Sequence, residues 1–137
     1  MAIIEEFGKG QMILDLSFDV AADLSDLQYC AVIYTASVSS GKATLSAPGG
    51  QGVICAGILQ NSDADTAGDN GNIRTIGTSK VKANATFDAG VELTIADSTG
   101  ELEAASSGDY VVAISLQAAA EANHLVYAQL VTPYQKN

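Results

Sequence analysis

Two stretches of the chain follow one order of parts. YTASVSSGKATLSAPGGQGVICAGILQ (Tyr34–Gln60) and LTIADSTGELEAASSGDYVVAISLQ (Leu93–Gln117) each run strand, Gly-centred turn, short strand, loop, apolar strand and closing Gln. Gly41 and Gly100 mark the two turns, and Gln60 and Gln117 the two ends. After each Gln comes a polar loop and a further strand, NIRTIG in the first unit and HLVYAQL in the second. The match is one of order and chemistry rather than identity. Strand, Gly turn and strand also recur in unrelated β-proteins. We read the pattern as two related units packed as a pseudo-symmetric barrel.

The rest of the chain agrees with that reading. VICAGIL and YVVAISL are continuous apolar runs of strand length, as in strands buried on both faces. SKVKANA alternates Val81, Ala83 and Ala85 with polar residues, and Asn70-Gly71 favours a tight turn. QAAAEANH reads as a small helical turn or loop. Short strands between Gly-rich turns predict an all-β fold, a small β-barrel or sandwich of two pseudo-repeated units. Residues 1–28 differ: they hold six acids and one lysine. MILDLSF sets Met12, Leu14, Leu16 and Phe18 against polar or acidic neighbours, as a half-buried strand does. DLSDLQ opens a single helical turn, with Asp23 or Ser25 as N-cap. The expected organisation is an N-terminal arm over 1–28 with one short strand, and a barrel-like domain over 29–137. The arm's apolar residues need a partner surface, in their own domain or on a neighbouring subunit.

Composition sets the bounds. One domain is the default for 137 residues, and such a chain buries roughly 70% of its unfolded surface. Trp is absent and aromatic residues are 6%, so the core must be Val, Ile, Leu and Ala. Sixteen acids against six bases give a net charge of −10. That argues against binding nucleic-acid phosphates or an anionic membrane. No apolar run approaches the ~20 residues that cross a bilayer. MAIIEEFGKGQ has two glutamates where a signal peptide carries positive charge, so synthesis in the cytoplasm is expected. Cys30 and Cys55 lack CxxC spacing and read as two buried thiols.

The search for chemistry finds no persuasive active site. His124, the single histidine, stands at the entrance to a strand with no nucleophile or orienting acid at a telling spacing. DADTAGDNGN fails the EF-hand pattern, with Ala67 at position 5 and Arg74 at position 12. PGGQG lacks the residues of a phosphate cradle, and the Asn84–Thr86 sequon has meaning only after secretion. Glu101 and Glu103 alternate on a strand as a solvated face does. Lys80 and Lys82 form the one local basic cluster, a solvated face or a docking contact for an acidic partner or a neighbouring copy. No enzyme, cofactor or metal is expected.

The order of phrases carries one resemblance. ADLSDLQYCAVIY, a turn, GVICAGILQN, an acidic loop, then IGTSKVKANATFDAGVELTIADSTGELEAASSGDYVVAISLQAAAEANHLVYAQLV resembles the capsid cement, or decoration, proteins of tailed bacteriophages. It covers Ala22 to Val131 as a string of weak phrases rather than one diagnostic motif. The chain departs from the pattern in its longer acidic arm and in Ile114-Ser115, where a Gly is more usual. The resemblance implies a non-enzymatic virion protein on the outer surface of the expanded capsid. Such proteins bind the major capsid protein, often as trimers, and hold capsomers together against the pressure of packaged DNA. The arm then supplies the contact candidates Met12, Ile13, Leu14, Leu16 and Phe18, with Lys80 and Lys82 beside them. Other readings stay open: a tail, head-fibre or connector module, a carrier domain modified at Lys42, or a bacterial adhesion module.

Overall fold

The computed structural model describes residues 12–37 and 40–137. Ten strands form two five-stranded sheets. The first holds β1 (Leu14–Asp19), β2 (Ala31–Ala36), β3 (Ala43–Ser46), β4 (Gly57–Leu59) and β5 (Asn70–Ile76), in the order β1-β5-β4-β2-β3. The second holds β6 (Thr78–Lys82), β7 (Glu92–Ile95), β8 (Leu102–Ala104), β9 (Tyr110–Ser115) and β10 (Leu125–Gln135), in the order β6-β10-β9-β7-β8. The two orders are the same, strand for strand. All ladders are antiparallel, and in each sheet one parallel bridge joins the edge strands: Val20 to Leu45, and Ala83 to Leu102. Each sheet thereby curls until its two edge strands meet at one point.

The registers fix which residues correspond. Ile58 faces Ala31 and Arg74 in the first unit, as Ile114 faces Glu92 and Gln129 in the second. Tyr34 faces Leu45 as Ile95 faces Leu102. The expected repeat is therefore real as topology, with one shift: Gln60 corresponds to Leu116, and Gln117 to Asn61. The Asn61 Oδ1 accepts the N–H of Asn72 at 2.9 Å, and the Gln117 Oε1 accepts the N–H of Tyr127 at 3.0 Å. An amide side chain caps the start of each last ladder, one residue later than the matching letters suggest.

One other expectation changes, and one open alternative is decided for the described residues. VICAGIL does not run as one strand: only Gly57–Leu59 joins the ladder. The preceding loop reaches into the second unit, where the Gly52 N–H donates to Ile95 O (2.9 Å) and the Tyr110 N–H donates to Gly52 O (3.0 Å). The described part of the expected arm, residues 12–28, takes its own domain as its partner surface. β1 pairs with β5 along its length, and Val20 and Leu24 are buried in the first core. DLSDLQ gives a 3-10 turn over Ser25–Leu27, with the Asp23 carboxylate accepting both the N–H and the hydroxyl of Ser25. Residues 1–11 lie outside the described residues.

Val20, Val32, Leu45, Leu59 and Ile73 form the first core, and Val81, Leu93, Ile95, Leu102 and Val112 the second. Ala31 and Ile58 of the first unit pack into the second core, so the units share a sealed seam. Across it the Ala31 N–H donates to Gly100 O (2.8 Å), the Lys82 N–H to Tyr29 O (3.0 Å) and the Gln60 amide to the Ser79 hydroxyl (2.9 Å). One flaw stands out. Thr94 is fully buried, and among the described residues its hydroxyl has no hydrogen-bond partner. A buried hydroxyl without a partner costs about 1–3 kcal/mol in lost hydration. Thr94→Val should therefore raise stability by roughly 1 kcal/mol, read as a shifted midpoint in urea unfolding with the slope unchanged. A destabilised variant would mean that the hydroxyl is satisfied.

Candidate docking surface

The apolar residues that fail to reach a core define the site. Met12 (73% exposed), Ile13, Leu14 and Ile76 cluster where β1 meets the end of β5, with Leu14 paired to Ile76. The chain here lies against the inter-unit link: a Cβ added to Gly77 would sit 2.8 Å from Met12 O and 3.0 Å from Ile13 Cγ1. From this cluster an apolar band follows the seam as three joined grooves. The first is lined by Met12, Ile76, Leu116 and Leu130. The second shares Ile76 and Leu130 and continues past Val131 and Pro133 to Cys55 and Ala56. The third shares Cys55 and Ala56 and ends on Ile33, Tyr34 and Ile54, enclosing about 460 Å³.

Local chain behaviour exposes these residues. Val53–Cys55 have left the ladder, which resumes where the Ala56 N–H donates to Val32 O (2.8 Å), because Gly52 is pinned into the second unit, so Ile54 stands in solvent at 54%. In β10 the register against β9 breaks between Leu130 and Tyr134, and Pro133 falls in that bulge, where no ladder N–H is needed. Contiguous exposed apolar surface with a polar surround marks an interaction site more often than idle surface.

Charge is scarce within the band and internally matched. Arg74 lines the middle groove, yet it donates to both Asp15 oxygens, at 2.9 and 3.1 Å, and to Thr78 O at 3.1 Å. Its hydrogen bonds to Asp15 raise its pKa against the opposing effect of burial. Burial pushes the Cys55 thiol up to about 12 and that of Cys30 to about 11. Both cysteines are free thiols. A thiol held protonated is a poor nucleophile. Cys30 is buried, whereas Cys55 is half-buried and lines two of the grooves. At pH 8 Cys30 should not react with a disulfide reagent on the minute timescale and Cys55 should react only slowly, whereas both should react at once in denaturant. Fast native labelling would show that the thiols are accessible.

The residues expected from the sequence divide. Met12, Ile13 and Leu14 are exposed at the end of the band. Leu16 and Phe18 instead pack partly against the first core, and the Phe18 ring meets Tyr34 edge-on, centroids 5.1 Å apart. Lys80 lies 5.6 Å from the Tyr29 ring centroid, and Lys82 pairs with Glu101 at 3.4 Å. Neither lysine lines the grooves. Ile54, Ile76, Leu130 and Tyr34 were missed; the signal for Ile54 was an apolar residue two places after a Gly-rich loop.

The polar clusters are tied into local structure. His124 Nε2 lies 2.9 Å from Glu121 Oε1 on an exposed loop. Asn61 Nδ2 donates to Asp63 Oδ1 (2.7 Å) and Asn70 O (2.9 Å), closing the acidic loop. The Glu103 carboxyl is raised by burial and by the nearby Asp109 and Asp97 charges. Among the described residues no group of three or more His, Cys, Asp or Glu side chains is placed to hold a metal ion.

The fold and this surface define a doubled, all-β module. The architecture is similar to that in the crystal structure of the head fibre gp8.5 N base in bacteriophage phi29, with a TM-score of 0.66 and 15% identity, over 88% of this chain and 95% of that one. The chain matches no protein-family model and no curated protein. At that identity the likeness establishes the fold.

Proposed function

We propose that this chain is a non-enzymatic structural protein of a bacteriophage virion. It binds the outer surface of the expanded capsid and stabilises contacts between capsomers, with the major capsid protein as its partner. It works as a homo-oligomer, with a trimer favoured. The observation that carries the reading is the continuous apolar band from Met12 to Tyr34, on a fold whose likeness is to a phage head-fibre base. Contacts repeated over a shell act by avidity, so each can be modest. That likeness also supports a second reading, in which the chain is the base of a head fibre.

The test is co-sedimentation with undecorated expanded shells, unexpanded shells and isolated tails. The proposal expects pelleting with expanded shells alone. It also expects Ile54→Asp/Ile76→Asp to lose at least ten-fold in apparent affinity while still folding. Pelleting with tails, or undiminished binding by that variant, would overturn it.

A further inference from the structure

The duplication places one occupied and one open copy of the same cleft in a single molecule. In the second unit the ends of β7 and β9 part, and Gly52 stands between them, bonded to Ile95 O and to the Tyr110 N–H. Gly52 has φ +72°, and a Cβ there would meet Asp109 Oδ1 at 2.5 Å. The Asp109 carboxylate can swing aside, but the positive φ strains any L-side chain and so favours glycine. The register-equivalent residues of the first unit are Tyr34 and Ile54. Among the described residues, no backbone hydrogen bond outside the ladders reaches Tyr34 O or the Ile54 N–H. Ile95 is 0% exposed under its plug, whereas Tyr34 is 45% exposed, at the end of the apolar band.

We propose that the cleft between Tyr34 and Ile54 receives a glycine-bearing loop of another protein, in the way that the Gly52 loop fills the second unit. This rests on the docking reading above and names the chemistry of the partner at one end of the band: a left-handed glycine followed by an apolar residue, as Val53 follows Gly52. Tyr34 O accepts its N–H, and the Ile54 N–H donates to its carbonyl. A second copy of this chain is a poor source of that loop. Its register-equivalent turn holds Gly108, whose N–H already donates to Lys136 O (2.8 Å) and whose carbonyl accepts from the Gln135 amide (3.0 Å).

The probe is a head-to-tail cyclised peptide containing the chain's own plug, residues Ala47–Ile54 (APGGQGVI), titrated into the intact protein and followed by amide chemical shifts. The expected result is saturable shifts confined to residues 33–34 and 53–56. The same peptide with valine in place of the plug glycine should bind at least ten-fold more weakly; that change leaves the protein untouched. Tyr34→Asp, shown to be folded by its dispersed amide spectrum, should weaken binding to a similar degree. No binding at millimolar peptide, equal binding of the valine peptide, or shifts centred on Ile95 and Tyr110 would overturn the proposal. So would self-association that Tyr34→Asp abolishes, which would assign the cleft to a second copy. No capsid enters the experiment, so its failure would leave shell binding through the rest of the band standing.

Discussion

Gly100→Ala should lower the melting temperature by roughly 10 °C or more, while Gly41→Ala shifts it by only a few degrees. Both glycines close the hairpin of their unit, and both have positive φ, +70° at Gly41 and +77° at Gly100. An L-residue in that region costs about 1–2 kcal/mol, so both variants carry this cost. The surroundings separate them. Among the described residues a Cβ on Gly41 meets nothing within 4 Å, whereas one on Gly100 would collide with Ala31 O and lie 3.1 Å from Ala31 N. Those atoms are backbone on the buried seam, and Gly100 O accepts the Ala31 N–H there. Relief requires the two units to part, at a total of roughly 4 kcal/mol, an exceptional value for one methyl group. Equal melting temperatures would mean that the seam yields.

Alkaline pH should weaken the fold through its two thiols. A free thiol ionises near 9.0, but burial holds Cys30 at about 11, with the Glu101 and Asp97 charges adding to this and Lys82 opposing it. Burial holds Cys55 at about 12, against hydrogen bonds from the Cys55 and Gly57 backbone. The folded-state values are raised, so the unfolded chain releases its thiol protons first. The stability these thiols contribute is complete below pH 9 and is lost as pH rises from 9 towards 12. At about 1.4 kcal/mol per unit, the two thiols together account for several kcal/mol across that window. Urea midpoints measured from pH 8 to 11 should fall steeply. In Cys30→Ala/Cys55→Ala the midpoint should start lower, because small voids replace the sulfurs, and then fall less with pH. Parallel profiles would show that other groups govern the loss.

How far the sequence reveals this molecule depends on how local each feature is. The all-β class and the doubled order were legible because Gly turns and apolar runs are local signals. Gln60 and Gln117 misled by one place because a capping amide is chosen by reach: Asn61 and Gln117 do the same work from side chains of different length. The late start of the strand within VICAGIL was hidden because a distant unit pulls Gly52 out of register. Met12, Ile13 and Leu14 were legible as apolar residues short of a core. The rest of the band was not, since Ile76, Leu130 and Cys55 meet only where the units join. Lys80 and Lys82 drew notice as a cluster, yet Tyr29 and Glu101, both remote in sequence, engage them.

The account turns on the apolar band being the face pressed to another protein. Cryo-electron microscopy of expanded capsids saturated with the protein reads this directly. Ile54, Ile76 and Leu130 should lie in the contact with the shell, and no density for the chain should appear on unexpanded shells. A decorated shell with the band facing solvent, or density confined to tails, would contradict the account.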